Sequence, residues 1–475
     1  MGYALDRLKS VSPDRRDFLK TAVIAGFPTI VPSRVFGAAA PSNLVQVAQI
    51  GCGRIARASE IAGVLRNSAV ARYVAVCDLD TVRTADARQT IESAYAQKFG
   101  SGKYADIKIY RDYREMLADK SIDAVCISTP DHWHAQPAME AAIAGKDIYL
   151  QKPASLTIRE GRQMADVVKK TGRIFQQGSQ QRSEYPFRFA TELIRNGRLG
   201  KLKEIYIGLP VDPAGNEEPA MPVPTNLNYD AWLGSTPDVY YTEKRVHPQS
   251  PDLRVRYDRP GWLRCEQFGA GMITGWGAHH IDIAHWAMDV DTSGPIAVEA
   301  IAEFPKKGLW DVHGPFHVRM RYANGVTVYI SEKYPTGLKF LGEDGWLWVT
   351  RGNYKPGDSA EGKPRNGALD ASDLKMLRTG IKDNELHLHA SPKNDHHLDW
   401  LTSVKTRQPP ATNAEIGHRS CSACLLGHAA MKLQRPLKWD PAKETFGKDE
   451  DANGLLARKQ RAGYGTDRIY EKFTA

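Results

Sequence analysis

The stretch Leu44-Val-Gln-Val-Ala-Gln-Ile-Gly-Cys-Gly-Arg-Ile-Ala56 decides the fold. Leu44 to Ile50 is apolar enough for a buried strand, Gly51-Cys-Gly53 is a tight turn, and a helix-compatible segment follows. Glycines at 51 and 53 let a pyrophosphate approach the backbone at a helix N-terminus, where unpaired N–H groups and the helix dipole favour an anion. The pattern alone is weak. It gains weight from a second strand ending in Val76-Cys-Asp78, because a carboxylate there accepts from adenosine ribose hydroxyls and repels a 2′-phosphate. A dinucleotide-binding domain is therefore expected, with Gly51, Gly53, Arg54, Ile55 and Asp78 on the dinucleotide. NAD is the expected cofactor, and the nearby Arg83 keeps NADP open.

Outward from this motif, strands at about 44–50, 70–77, 107–110, 122–128, 146–151 and 173–178 alternate with helical patterns, which implies an α/β Rossmann domain with a doubly wound parallel sheet. After a helix near 186–196 the pattern changes to strands without intervening helices, at 202–208, 296–304, 316–322, 326–331 and 345–350. An α+β C-terminal domain with a largely antiparallel open sheet fits. The stretches 210–224 and 352–373 read as loops, and late helices at 397–406 and 416–432 are expected to pack back between the domains. The expected division is 1–40 signal peptide, 41–195 Rossmann domain, 196–440 substrate-binding domain and 441–475 C-terminal tail.

The chain's 475 residues suit two domains with substantial cores. Its formal charge of +9 includes +3 from residues 1–40, and the remainder has no long Lys/Arg run, which argues against a nucleic-acid partner. Asp14-Arg-Arg-Asp-Phe-Leu-Lys20, a short apolar run and Gly37-Ala-Ala-Ala40 read as a twin-arginine export signal, too short to span a bilayer. A periplasmic or otherwise exported location is expected, and no stable membrane span. Of the six cysteines, three fall in or beside expected buried strands, so a disulfide scaffold is not expected.

Five motifs in order, Gly51–Ala56, Cys77-Asp-Leu-Asp80, Ile127-Ser-Thr-Pro-Asp-His-Trp-His134, Gln151-Lys-Pro153 and Gly277-Ala-His-His-Ile-Asp-Ile-Ala-His-Trp286, resemble the Gfo/Idh/MocA family of glucose-fructose oxidoreductase and inositol dehydrogenase. The resemblance implies that Lys152 holds the reacting oxygen and that His279 takes or gives its proton, with imidazole suited to proton transfer near neutral pH. It also implies that Thr129, Pro130, His132, His134, Gln151 and Lys152 lie along the cofactor. Arg182, Tyr185, Trp276 and His280 are expected substrate contacts, since aromatic faces stack on sugars and Arg donates to hydroxyls. No metal is expected, although the histidines at 132, 134, 279, 280 and 285 invite that alternative. His396-His397 is a further candidate for reaching the site.

Two departures from the family pattern stand out. Gln151 replaces the usual glutamate, so Lys152 is expected to titrate lower than in a Glu-Lys-Pro relative. Gly275 stands where inositol dehydrogenase-like members carry an aspartate. An exported enzyme meets no free dinucleotide, so a tightly bound, recycled NAD is expected. The substrate would be a sugar, polyol or glycoside hydroxyl, the alternatives being glycosidase-type oxidation and elimination, or a non-catalytic carbohydrate binder that holds a dinucleotide. A homo-oligomer through the second sheet is a further expectation.

Overall fold

Strands β1 (Val45–Ile50), β2 (Ala71–Cys77), β3 (Lys108–Tyr110), β4 (Ala124–Ile127), β5 (Asp147–Leu150) and β6 (Phe175–Gln177) all pair in parallel, in the order β3-β2-β1-β4-β5-β6. This is a computed structural model, and it describes residues 43–352 and 367–475. The export signal expected at 1–40 lies outside the described residues. β4 and β5 are buried throughout, as strands covered on both faces must be. The order reverses between β1 and β4, and the crevice beyond the strand ends at such a switch is where this topology places a ligand.

The covering helices begin and end where local chemistry dictates. Asp80 caps α1 (Thr81–Phe99), its carboxylate accepting from the Val82 and Arg83 N–H groups. α2 (Tyr113–Ala118) and α3 (Ala135–Ile143) follow β3 and β4. Thr157 and Glu160 form a capping box on α4 (Ile158–Thr171), and Gly172 ends it in the left-handed conformation.

The second sheet has the order β13-β12-β11-β7-β10-β9-β8-β14, from β7 (Leu202–Gly208), β8 (Ala297–Ala302), β9 (Phe316–Arg321), β10 (Thr327–Ser331), β11 (Gly337–Gly342), β12 (Trp346–Val349), β13 (Leu369–Ala371) and β14 (Leu437–Lys438). It is antiparallel except where β10 runs parallel to β7. β13 lies in a polar stretch read as loop; pairing of Leu369 with Val349 and Ala371 with Leu347 overrides that local preference. α5 (Tyr185–Arg195), α6 (Gly277–Met288) and α8 (Ala414–Leu433) pack near one another and the sheet. The other face carries half-buried side chains such as Tyr206 and Tyr329, stacked 5.2 Å apart.

The ends of the chain do not respect a simple sequential division. α7 (His396–Thr406) buries Trp400 and Leu401 in the core that contains Val47 and Val76 of the first sheet. α8 lies against both α4 and β8. Residues 441–475, expected as a tail, fold back instead: the Gly465 N–H donates to Gln136, the buried Thr466 hydroxyl donates to Gln163, and α9 (Asp467–Thr474) runs against α4. Buried polar partners fix this segment, which its polar composition alone does not announce. No helix among the described residues is long and apolar enough to cross a membrane.

Candidate functional site

One cavity of about 800 Å³ opens at the switch point, between the strand ends of the first sheet and segments 228–232, 258–263 and 272–279. At one end lies the Gly51 turn. Gly51 has φ +81°, and a Cβ there would stand 2.7 Å from the Ser128 carbonyl oxygen, so no other residue fits. The Cys52 N–H donates to Asp78 at 2.6 Å and the Asp80 N–H donates to it at 2.8 Å, fixing this carboxylate against the turn. Gly53, Arg54, Ile55, Asp78, Thr129 and Pro130 all line the cavity, as expected of dinucleotide contacts.

Arg83 lines the cavity beside Asp78, with part of its guanidinium committed to the protein. It donates to the Arg256 carbonyl at 2.7 Å, lies 4.9 Å over the Tyr257 ring and sits 3.8 Å from Asp80. Asp78→Ala is accordingly expected to lower the ratio of NAD to NADP affinity by about tenfold or more, measured by fluorescence titration with each cofactor; an unchanged ratio would remove Asp78 from the ribose.

Lys152 stands at the other end. Its ammonium donates to the Gly275 carbonyl at 2.7 Å, and burial lowers its pKa to about 8, against the opposing field of Asp131. His279, 5% exposed, lines the same wall, and its Nδ1 has no hydrogen-bond partner among the described residues. Burial first, then Lys152 and Arg351, keeps this imidazole well below its ordinary pKa and hence neutral. Trp276 also lines the cavity, with Arg351 4.9 Å over its ring.

Four expected contacts lie elsewhere. Arg182, 2% exposed, is saturated by carboxylates: Asp282 at 2.7 and 2.9 Å and Asp291 at 2.7 and 2.8 Å. Tyr185 faces outward and stacks on Phe189. His280 follows His279 on α6, and the helical turn of about 100° per residue sends it away from the cavity. His132 Nε2 lies 2.8 Å from the Trp232 carbonyl oxygen, beneath the surface rather than on the cofactor. His134 does reach the wall, its ring nitrogens 2.5 Å from the Pro153 and 2.8 Å from the Thr129 carbonyl oxygens. His396 is occupied by Ser183 and the Gln177 carbonyl, and His397 faces Glu60 at 3.8 Å, so neither lines the cavity.

Gln151 lines the cavity, but its amide is directed at a buried carboxylate. Its N–H donates to Glu60 at 2.7 Å, and its oxygen accepts from the Lys152 backbone N–H at 3.1 Å. Glu60 is fully buried and also accepts from Ser128. The low titration of Lys152 follows from burial first. A glutamate at 151 would face Glu60, so Gln151→Glu is expected to cost about 1–3 kcal/mol of stability, with Glu60→Gln/Gln151→Glu recovering most of it in thermal unfolding. Equal stability of the two variants would sink this account.

Residues that the sequence reading passed over include Asp131, Gln180, Glu184 and Arg351, all on the cavity wall. Asp131 lay in a quoted motif but among three aromatic neighbours that drew the attention. Tyr464, from the folded-back C-terminal segment, lines the wall beside Trp133, their rings 5.7 Å apart.

Comparison with known proteins agrees with this arrangement. Residues 45–179 match the oxidoreductase family model for the NAD-binding Rossmann fold, and residues 214–348 and 340–466 match the model for the C-terminal alpha/beta domain of the same GFO/IDH/MocA group. A glycosyl hydrolase family 109 protein of Shewanella sp. (strain ANA-3) is 29% identical over 186 residues, 34% of this chain and 38% of that protein. The 1,5-anhydro-D-fructose reductase of Ensifer adhaerens is 23% identical over 262 residues, 54% of this chain and 63% of the relative. The chain thus matches less than two thirds of the length of each. Among solved structures, the WlbA dehydrogenase of Bordetella pertussis, in complex with NADH and UDP-GlcNAcA, superposes with a TM-score of 0.56 at 16% identity, over 84% of this chain and 99% of that one.

Proposed function

The chain belongs to the Gfo/Idh/MocA oxidoreductase family, its first domain being the family's NAD-binding Rossmann domain, and we propose that it is an NAD-dependent oxidoreductase acting on a hydroxyl of a sugar, polyol or glycoside. The observation that carries this is the Lys152–His279 pair at one end of a cavity whose other end is the Gly51–Asp78 dinucleotide site. Held by the Gly51 turn and Asp78, an NAD cofactor would supply the hydride acceptor. Lys152 is placed to hold the hydroxyl, and a pKa near 8 leaves part of it as a free amine that can take the hydroxyl proton at neutral pH. His279, neutral and with Nδ1 free, can orient the same oxygen or relay its proton. Trp276 offers an aromatic wall to a sugar face.

His279→Ala is expected to lower kcat by about 10²-fold while His280→Ala leaves it within a few fold. The reverse pattern would move the proton-transfer role to the neighbour.

Export and a retained cofactor extend the same reading. The basic segment ahead of residue 40 supports twin-arginine export, and Tyr464 on the cavity wall supports a dinucleotide closed in by the C-terminal segment. The likeness to a glycosyl hydrolase family 109 protein favours a second reading, transient oxidation of a glycoside, elimination of the aglycone and re-reduction. The half-open face of the second sheet supports self-association. Mass spectrometry of protein purified without added cofactor, followed by incubation with a panel of glycosides, polyols and free sugars, tests the set. Bound NAD with turnover supports the proposal; dinucleotide without any product would leave a carbohydrate-binding protein.

A further inference from the structure

Among the described residues, Asp131 is the one buried carboxylate on the cavity wall that no other residue engages by a hydrogen bond. It is 3% exposed, stands at the start of the turn after β4, and has no donor from another residue among those described. By contrast Asp78 accepts two backbone N–H groups, and Glu60, just behind the wall, accepts from Gln151 and Ser128. Burying an unpaired carboxylate is costly unless a nearby charge answers it. On the same wall the Lys152 ammonium reaches only a backbone carbonyl, that of Gly275. Among the described residues it too lacks an anionic hydrogen-bond partner.

We propose that Asp131 is the positioning residue that balances the charge on Lys152, supplying from the wall of the same cavity a carboxylate that position 275 does not. This rests on Lys152 being the proton acceptor. When the substrate O–H bond breaks and an N–H bond forms on the Lys152 amine, the new ammonium stands in the field of Asp131, and the proton returns by the reverse path or leaves to water. Asp131 forms no bond in this step; it sets how readily Lys152 becomes and remains charged. The fields agree with that role. Burial raises Asp131 to about 7 and Lys152 opposes the rise, while burial lowers Lys152 to about 8 and Asp131 is the leading influence opposing that fall. The other charged groups acting on Lys152 are Arg259, Arg351 and Arg54, all of which disfavour its ammonium, and His279 and His134 also sense it. Among these influences Asp131 is the one that favours the cation, and the buried Cys424 thiol also senses Lys152.

Gly275 offers a control. A Cβ there would meet only the Met272 sulfur, at 3.9 Å, so a side chain can be added beside the carbonyl that holds Lys152. The experiment is competitive acetylation of Lys152 with acetic anhydride as a function of pH, read by peptide mass spectrometry on the purified full chain. Wild type, Asp131→Asn, Gly275→Asp and Asp131→Asn/Gly275→Asp are compared, alongside kcat/KM against pH. Asp131→Asn is expected to lower the Lys152 midpoint by about one unit, making acetylation at pH 7 roughly fivefold faster, and to move the matching limb of the rate profile down with it. Gly275→Asp should raise the midpoint, in wild type and in the double variant alike. An unchanged Lys152 midpoint in Asp131→Asn overturns the proposal; if that variant does not fold, an unchanged midpoint in Gly275→Asp does so. The labelling needs no substrate, so its failure is separate from a failure to find dehydrogenase turnover.

Discussion

Replacing Lys152 with alanine is expected to lower turnover by about 10²–10⁴-fold, the range for removal of a positioned proton-transfer group, while bound NAD is retained. The separation follows from the geometry. The dinucleotide end of the cavity is built from the Gly51 turn and Asp78, whose bonds to Cys52 and Asp80 do not pass through Lys152. The side chain at 152 reaches across instead, to Gly275 at the start of the His279 helix. Retained cofactor is measured by absorbance and mass spectrometry, and turnover under saturating substrate. Parallel loss of both would assign Lys152 to holding the cofactor rather than to chemistry. The activity of wild type should rise with pH through the region of pH 8, because the free amine accepts the proton and the ammonium does not.

Arg182→Ala is expected to destabilise the fold by about 3–5 kcal/mol, the cost of leaving buried carboxylates without their cation. Asp282 is 1% exposed, and Arg182 provides its bidentate partner while also holding Asp291. The network joins the turn before α5 to α6, the helix that presents His279, and the Arg182 guanidinium also lies 5.1 Å over Trp286. Asp282→Asn should cost less, since the amide still accepts one hydrogen bond. Thermal unfolding of both variants decides it: an Arg182→Ala melting temperature within a degree of wild type would show that the network adds nothing.

The same residue shows why the site was only partly readable from sequence. Arg182 has the chemistry to hold a sugar hydroxyl or a carboxylate, and its true partners lie 100 and 109 residues away, so only the folded chain decides between them. The glycine turn and Asp78 were readable because their function is carried by backbone geometry within about thirty residues. β1, β2, β4 and β5 were readable for a related reason: buried parallel strands are short, largely apolar runs set off by polar segments. β11 and β13 were not: β11 begins and ends on glycine, β13 has three residues, and each gains its place by pairing with other strands. Asp131 escaped because a carboxylate in a loop is ordinarily solvated; what makes it unusual is burial on the cavity wall that Lys152 also lines, and neither feature is written in the local sequence.

The way the end of the chain completes its beginning bears on when the protein can mature. Asp395 bonds Asn67, His397 faces Glu60, and the Gly465 N–H bonds Gln136, contacts spanning about 330 residues. Translation proceeds at about 5–20 residues per second, and early domains commonly fold while later ones are still being made. Here the first sheet lacks the α7 covering until residues 396–406 have been made, and the cavity lacks its Tyr464 wall until residue 464 has. A stalled or truncated nascent chain would therefore display an unfinished nucleotide cleft. The cleft is complete only once residue 464 has been made, long after the strands that floor it.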